Sequence, residues 1–434
     1  MPWLDQYNSR LGTPSEAMNL IKSGDSVYLH AGAATPQLLV EAFSKRALDL
    51  EDITITHILT LGEAEYVRPE LQGHVRMNSL FTGTNVREAV NAGRADWTPI
   101  FLSEIPGLFK NKHIPVDVAI IHISPPDQHG FCSFGVSTDT TIAACKVAKT
   151  IIAMVNQQMP RVHGDNFIHA SKLDFIVEVD TQLFQAQKPE LSDRHMKIGK
   201  HIADLIEDGS TLQMGIGAIP DATLFYLKDK RNLGIHTEMF SDGVVELVEA
   251  GVINGEAKTL HPGKVVSSIV MGSQYVYDFI HENPFMEFHP SDYVNDPYII
   301  AQNAKMVAIN SSIEIDLSGQ VCSDSMGRQN YSGIGGQVDF MRGASRSAGG
   351  KPIIAMPSTA KKGTQTRIVL DLKPGAAVTT SRGDVHYVVT EFGVAHLHGK
   401  NLRQRAKALI RIAHPDFREE LEKQAFESGL IQRL

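Results

Sequence analysis

The sequence is short of several things, and each shortage removes a class of protein. Only three cysteines occur in 434 residues, Cys132, Cys145 and Cys322. They are odd in number, far apart and never in a Cys-x-x-Cys, which argues against a disulfide framework or a thiolate metal site and fits a reducing compartment. No run of eighteen apolar residues is present, so no membrane-spanning helix is expected. The opening MPWLDQYNSR carries Asp5 and Arg10 where a signal peptide needs an apolar core. Blocks of like charge are missing as well. The formal charge of −8 is spread along the chain and leaves neither a nucleic-acid footprint nor a polybasic patch. The expectation is a cytoplasmic protein that handles a small molecule, with neither nucleic acid nor membrane as partner.

What is present points to an α/β protein. With 42% hydrophobic and 21% charged residues the chain is in the globular range, and it is too long for one compact core. The β-branched runs VDVAIIHI (116–123), KTIIAMV (149–155), KMVAI (305–309), PIIAM (352–356) and HYVVTE (386–391) read as buried strands between turn residues. Helical spacing runs through SEAMNLIKSG (15–24), HMKIGKHIADLIEDG (195–209) and LRQRAKALIRIA (402–413). Strands that alternate with helices predict mostly parallel sheets.

The chain also echoes itself. LIKSGDSVYLHAGAATP (20–36) superposes on LIEDGSTLQMGIGAIPD (205–221) at a fixed separation of 185 residues, which pairs Gly24 with Gly209, Gly32 with Gly217 and Ala33 with Ala218. Each copy reads as helix end, glycine cap, strand, small-residue turn and helix. A fainter match lays ITITH (53–57) over NLGIH (232–236), so that His57 meets His236 at 179 residues. Two tandem, mutually similar open α/β domains follow, at 1–188 and 189–434, with the polar QAQKPELSD (185–193) as linker. A functional cleft between them is the default expectation.

Four segments could carry chemistry. In GIGAIPDA (215–222) small residues between a strand and a helix let backbone N–H groups approach an anion, although a plain turn reads the same way. Gly215-x-Gly217 with Glu238 twenty-one residues on also resembles a dinucleotide fingerprint, but Pro220 stands where its third glycine belongs. GIHTEMFSDG (234–243) sets Glu238 in a polar loop two residues after His236; the zinc-deaminase reading of that spacing fails for want of a later Pro-Cys-x-x-Cys. YSGIGGQVDFMRGAS (331–345) is dense enough in glycine to aim donors at a carbonyl oxygen or phosphate. PSTAKKG (357–363) offers Lys361 and Lys362 to phosphates or to water. His129, His396 and His398 have no carboxylate or cysteine partners to complete a metal site, so no metal is expected. The loop SPPDQHGFCSFG (124–135) reads equally as functional or as a connector.

In this order, GIGAIPDA, GIHTEMFSDG, INSSIEIDLSGQVCSDS, YSGIGGQVDF and AHPDF resemble the acetyl-CoA hydrolase/transferase family of CoA-transferases, over essentially the whole chain. The resemblance implies two similar domains with the active site between them, and a homodimer. It places a glutamyl nucleophile on Glu238 and a CoA-binding stretch on Gly215, Ile216, Gly217, Ala218 and Ile219. The family's GxGG segment falls on Gly333, Gly335 and Gly336, and its AKxG lysine on Lys361, with Lys362 hard to tell from it. Asn310 matches an asparagine near the reacting carbonyl. CoA and acyl-CoA would be substrates, with no permanently bound cofactor. The acids implied are short, acetate and 4-hydroxybutyrate foremost, then butyrate, succinate or itaconate. Arg87, in SLFTGTNVREAV (79–90), could pair with the acid or simply face water. Thioester hydrolase, nicotinamide dehydrogenase and a non-catalytic CoA sensor remain as alternatives.

Overall fold

A computed structural model describes residues 2–432. The chain forms two compact units, one of residues 1–187 with 266–294 and the other of 188–265 with 295–434. The segment 266–294, from the second half of the sequence, thus belongs to the first unit.

The first unit is built on an all-parallel sheet of seven strands. In chain order these are β1 (Ser26–Leu29), β2 (Ile53–His57), β3 (Val75–Ser79), β4 (Asp96–Trp97), β5 (Val118–Ile123), β6 (Thr150–Asn156) and β7 (Phe175–Val179). Their spatial order is β4-β3-β2-β1-β5-β6-β7. The chain therefore works outward from β1 on one side and returns to its other side with β5, which makes β1/β5 the switch point where α/β sheets open a crevice. Every residue of β5 is buried, as expected of a strand covered on both faces. Helix α1 (Gln37–Arg46) lays Leu39, Val40 and Phe43 against Val27, Leu29, Ile53, Ile55 and Ile120.

The second unit repeats this plan with β8 (Thr211–Met214), β9 (Gly234–Ile235), β10 (Met306–Ser311), β11 (Lys351–Ala355), β12 (Tyr387–Thr390) and β13 (Gly393–His396), in the order β9-β8-β10-β11-β12-β13. All pairs are parallel except the β12–β13 hairpin. The switch point falls between β8 and β10. β1 and β8 lie 185 residues apart, as the echo predicts. The fainter echo is one residue out: Thr54 donates its N–H to Asp25 and Gly234 donates to Ser210, so Gly234 is the counterpart of Thr54. The separation is 180, and His57 occupies the place of Thr237. Because strand side chains alternate faces, this single step reverses which residue points where.

The helices expected from spacing form, with shifted ends. Pro14–Met18 is shorter than the pattern 15–24, because the Asp25 carboxylate accepts the Lys22 N–H and folds the chain into a turn before β1. Helix α2 (Thr84–Asn91) carries Arg87 in the first unit. Helix α3 (Asp193–Ala203) begins earlier than expected, since Ser192 and His195 form a capping box. Its Gly199 lets α4 (Ala218–Phe225) cross closely, for a Cβ there would come within 2.5 Å of the Ala222 backbone. Helix α5 (Gln337–Arg346) follows the second glycine-rich segment, and α6 (Leu402–Ile412) is capped by Asn401 with Gln404.

Candidate functional site

The site assembles in the second unit from loops at the carboxyl ends of β8, β9 and β10. After β8 the chain passes through Gly215, Ile216 and Gly217 directly into α4. Gly217, at φ +122°, takes a conformation that residues with a Cβ rarely adopt. A Cβ added to Gly215 or Gly217 would meet nothing within 4 Å, and the Ile216 side chain is 39% exposed, so the backbone of this turn stands open. Ala218 and Ile219 lie in the first turn of α4, where unpaired N–H groups and the helix dipole favour an anion. The Ile219 side chain is buried, which leaves its backbone as the part able to serve a ligand. Further along that turn burial raises the Asp221 carboxyl above its ordinary range; Asp242 and Glu246 push the same way and Lys188 opposes them.

Glu238 follows β9. Its loop is pinned to the end of β8 by Thr237, whose hydroxyl accepts the Met214 N–H and lies 3.0 Å from the carbonyls of Met214 and Met239. The half-buried Glu238 carboxylate accepts a hydrogen bond from Asn295 Nδ2 at 2.9 Å. Gly336, the N-cap of α5, is seated against the same carboxylate, and a Cβ built there would overlap Glu238 Oε2 and Asn295 Nδ2. Gly336 has an ordinary φ of −91°, so glycine is required here by space alone. Gly335 is different: its φ of +61° makes the turn that brings Gly336 inward. Gly333 is buried in the same approach. The structure thus unites Glu238 with Gly336 and adds Asn295, which the sequence reading missed. Asn295 sits 57 positions from Glu238 and before Asp296-Pro297, where an asparagine reads as a helix-start residue.

Asn310, at the end of β10, forms an amide pair with Gln213 of β8, with Asn310 Nδ2 donating to Gln213 Oε1 at 3.1 Å. It therefore stands at the switch point, beside the open turn. Lys361 lies in a short 3₁₀ turn, Lys361–Gly363, and lines a groove of about 780 Å³ together with Ser311, Ser312, Ser323 and Tyr331. Both lysines are exposed, but Lys362 does not line that groove, which separates the two that sequence left equivalent. The groove and the surroundings of Glu238 share a wall, for Gln337 Nε2, one residue after Gly336, donates to Ser323 Oγ at 3.0 Å. Arg87 lies on α2 of the first unit, half-buried.

The Glu238 carboxylate thus lies against Asn295 and Gly336, in the loop that Thr237 ties to the end of β8. Residues 3–185 match the acetyl-CoA hydrolase/transferase N-terminal domain and residues 272–425 its C-terminal domain. The chain belongs to the acetyl-CoA hydrolase/transferase family of CoA-transferases. It is 54% identical over 421 residues to the 4-hydroxybutyrate coenzyme A transferase of Clostridium kluyveri, covering 97% of this chain and 98% of that one. It is also 54% identical over 418 residues to the succinyl-CoA:acetate/propanoyl-CoA:succinate CoA transferase of Fasciola hepatica, covering 95% and 87%. The crystal structure of 4-hydroxybutyrate CoA-transferase from Porphyromonas gingivalis superposes with a TM-score of 0.85 at 44% identity, covering 98% of this chain and 100% of that one. Among the described residues no helix is long and apolar enough to cross a membrane.

Proposed function

We propose that this CoA-transferase moves CoA between short-chain carboxylic acids through a glutamyl-CoA thioester on Glu238. The observation that carries the reading is the Glu238 carboxylate itself, fixed by Asn295 and by the absence of a side chain at Gly336. Transfer between acids must conserve the thioester's free energy, so the acceptor on the enzyme has to be of the same chemical kind as the substrates. A carboxylate meets that need. Glu238 attacks the donor thioester carbonyl, giving a mixed anhydride and CoA thiolate. The thiolate then attacks the glutamyl carbonyl, the first acid leaves as its carboxylate, and glutamyl-CoA remains. A second acid reverses these steps, so the kinetics are ping-pong. Each addition develops negative charge on oxygen, for which the backbone amides of the Gly215–Ile219 turn and of Gly335 and Gly336 are the candidate donors.

Acetate and 4-hydroxybutyrate are the leading acids, with butyrate, succinate and itaconate next. Two relatives of equal identity are named for different acids, and a one-methylene difference in a pocket is worth only about 1–3 kcal/mol. A panel of short acids assayed with acetyl-CoA decides among them. The same scheme takes CoA as substrate and calls for no resident cofactor, and we place the enzyme in the cytoplasm as a homodimer. Sedimentation at 47.6 kDa only would remove the dimer. Incubation with acetyl-CoA alone should leave a borohydride-reducible thioester on Glu238, located by mass spectrometry. A label on another residue would overturn the mechanism, and loss of thioester to water with no transfer to any acid would make the protein a hydrolase.

A further inference from the structure

Beyond Lys361, the groove of the second unit gathers positive charge with little to balance it. Arg367, which lines the groove, donates from Nη1 to the Ser312 carbonyl at 3.3 Å. Its Nε is shielded from solvent and has no hydrogen-bond partner among the described residues. Arg194, in the first turn of α3, donates to Thr359 Oγ1 at 3.2 Å. Burial first, and then the charge of Arg194, hold the Arg367 guanidinium below its ordinary pKa, against the pull of Tyr331 and Glu391. Glu391 is itself engaged, accepting both the N–H and the hydroxyl of Ser358 at 2.8 Å. Lys373, on the groove's rim, is already paired with Glu314 at 3.3 Å. Like charges brought together in a partly shielded place cost free energy unless an anion offsets them.

We propose that Arg367, from the groove's lining, recognises the 3′-phosphate of coenzyme A, with the charge of Arg194 adding to its own from outside that lining. The inference rests on the CoA reading above and adds the residues that select the nucleotide end of the substrate. A guanidinium presents a planar fork of donors matched to phosphate oxygens, and the hydrogen bond that Arg367 makes, from Nη1 to Ser312, is a long one at 3.3 Å. A phosphomonoester carries about −1.5 to −2 charges at neutral pH. Two guanidiniums with Lys361 nearby suit that charge better than either single charge of the diphosphate bridge. The wall shared through Gln337 and Ser323 lets one long ligand place its thiol near Glu238 and its charged end here.

Calorimetric titration with CoA and with dephospho-CoA, which lacks only the 3′-phosphate, tests this without turnover. The wild-type enzyme should bind CoA at least about tenfold more tightly than dephospho-CoA. In Arg367→Gln that ratio should fall close to one, by loss of CoA affinity with little change for dephospho-CoA. Arg194→Gln should move it the same way by less, and Arg367→Lys should keep part of it. Equal wild-type affinity for the two ligands would overturn the inference. So would an Arg367→Gln variant that weakens both equally, since that points to the diphosphate or to the fold. If Arg367→Gln does not fold, the ratio in Arg194→Gln decides. Discriminating binding with no acyl exchange would sink the transferase reading and leave this inference standing.

Discussion

The turn after β1 and the turn after β8 begin from the same sequence pattern and end in opposite surroundings. In the first unit Ala31 to Pro36 are all buried, Gly32 donates to the Leu59 carbonyl, and α1 does not begin until Gln37. A Cβ on Gly32 would touch Ile269 at 3.7 Å and Ser137 at 3.8 Å. In the second unit α4 begins at Ala218, the counterpart of Ala33, and the turn before it is open. Four residues that the first copy spends on packing are, in the second, the first turn of a helix with its N–H groups still available. The counterpart of Gly215 is His30, fully buried, whose Nε2 lies 2.6 Å from the Ser137 carbonyl and whose Nδ1 accepts the His122 N–H. Of two similar units, one has sealed its turn and the other has left it open.

The sharpest way to break this contrast is at Glu238, the proposed nucleophile. Glu238→Gln keeps shape and packing, so CoA exchange should fall by about a thousandfold or more while thermal unfolding stays unchanged. Wild-type exchange in that variant would end the assignment of chemistry to the second unit. Gly336→Ala should come next, because the added methyl displaces the carboxylate, and misplacement by about an ångström costs on the order of a hundredfold in kcat. Its foil is Gly32→Ala in the sealed copy. There the φ of +58° should cost stability, about 1 kcal/mol or somewhat more, with kcat kept.

The equivalent positions His30 and Gly215 give a paired test. His30→Ala removes a buried, hydrogen-bonded ring and should destabilise the first unit by about 2–4 kcal/mol in urea unfolding. Gly215→Ala adds a methyl that touches nothing, so unfolding should be unaffected while the KM for acetyl-CoA rises several-fold. If the two variants exchange these effects, the open and sealed labels are wrong.

The mildest perturbation, one that changes no residue, is a pH slope. Burial lowers the His57 pKa to about 4 and, with the charge of His30, the His122 pKa to about 3. For a base whose folded pKa is lowered, the neutral form is the stable one. The stabilisation is complete above the unfolded pKa of about 6.5 and is lost as pH falls below it towards the folded values. Each ring should contribute up to about 1.4 kcal/mol per pH unit across that window. Urea midpoints at pH 7.5, 6 and 5 should therefore fall, and a flat profile would remove the buried-neutral reading.

Sequence alone carried the α/β class, the buried strands, the main echo and the glycine segments, because these rest on local chemistry: β-branched runs, caps, and turns that only glycine can make. It also singled out Glu238 as a candidate, through a family pattern of motifs rather than through spacing. What it could not supply was whatever depends on distant partners. The register that moves His57 off His236 is written in ladder hydrogen bonds to Asp25 and Ser210. The choice of Lys361 over Lys362 depends on which side chain faces a groove built from four other segments. Asn295 became part of the site because α5 and the loop after β9 converge on it. Which of two near-identical turns stays open was decided by tertiary packing, since Ile269 and Ser137 close over Gly32 and nothing comes within reach of Gly217.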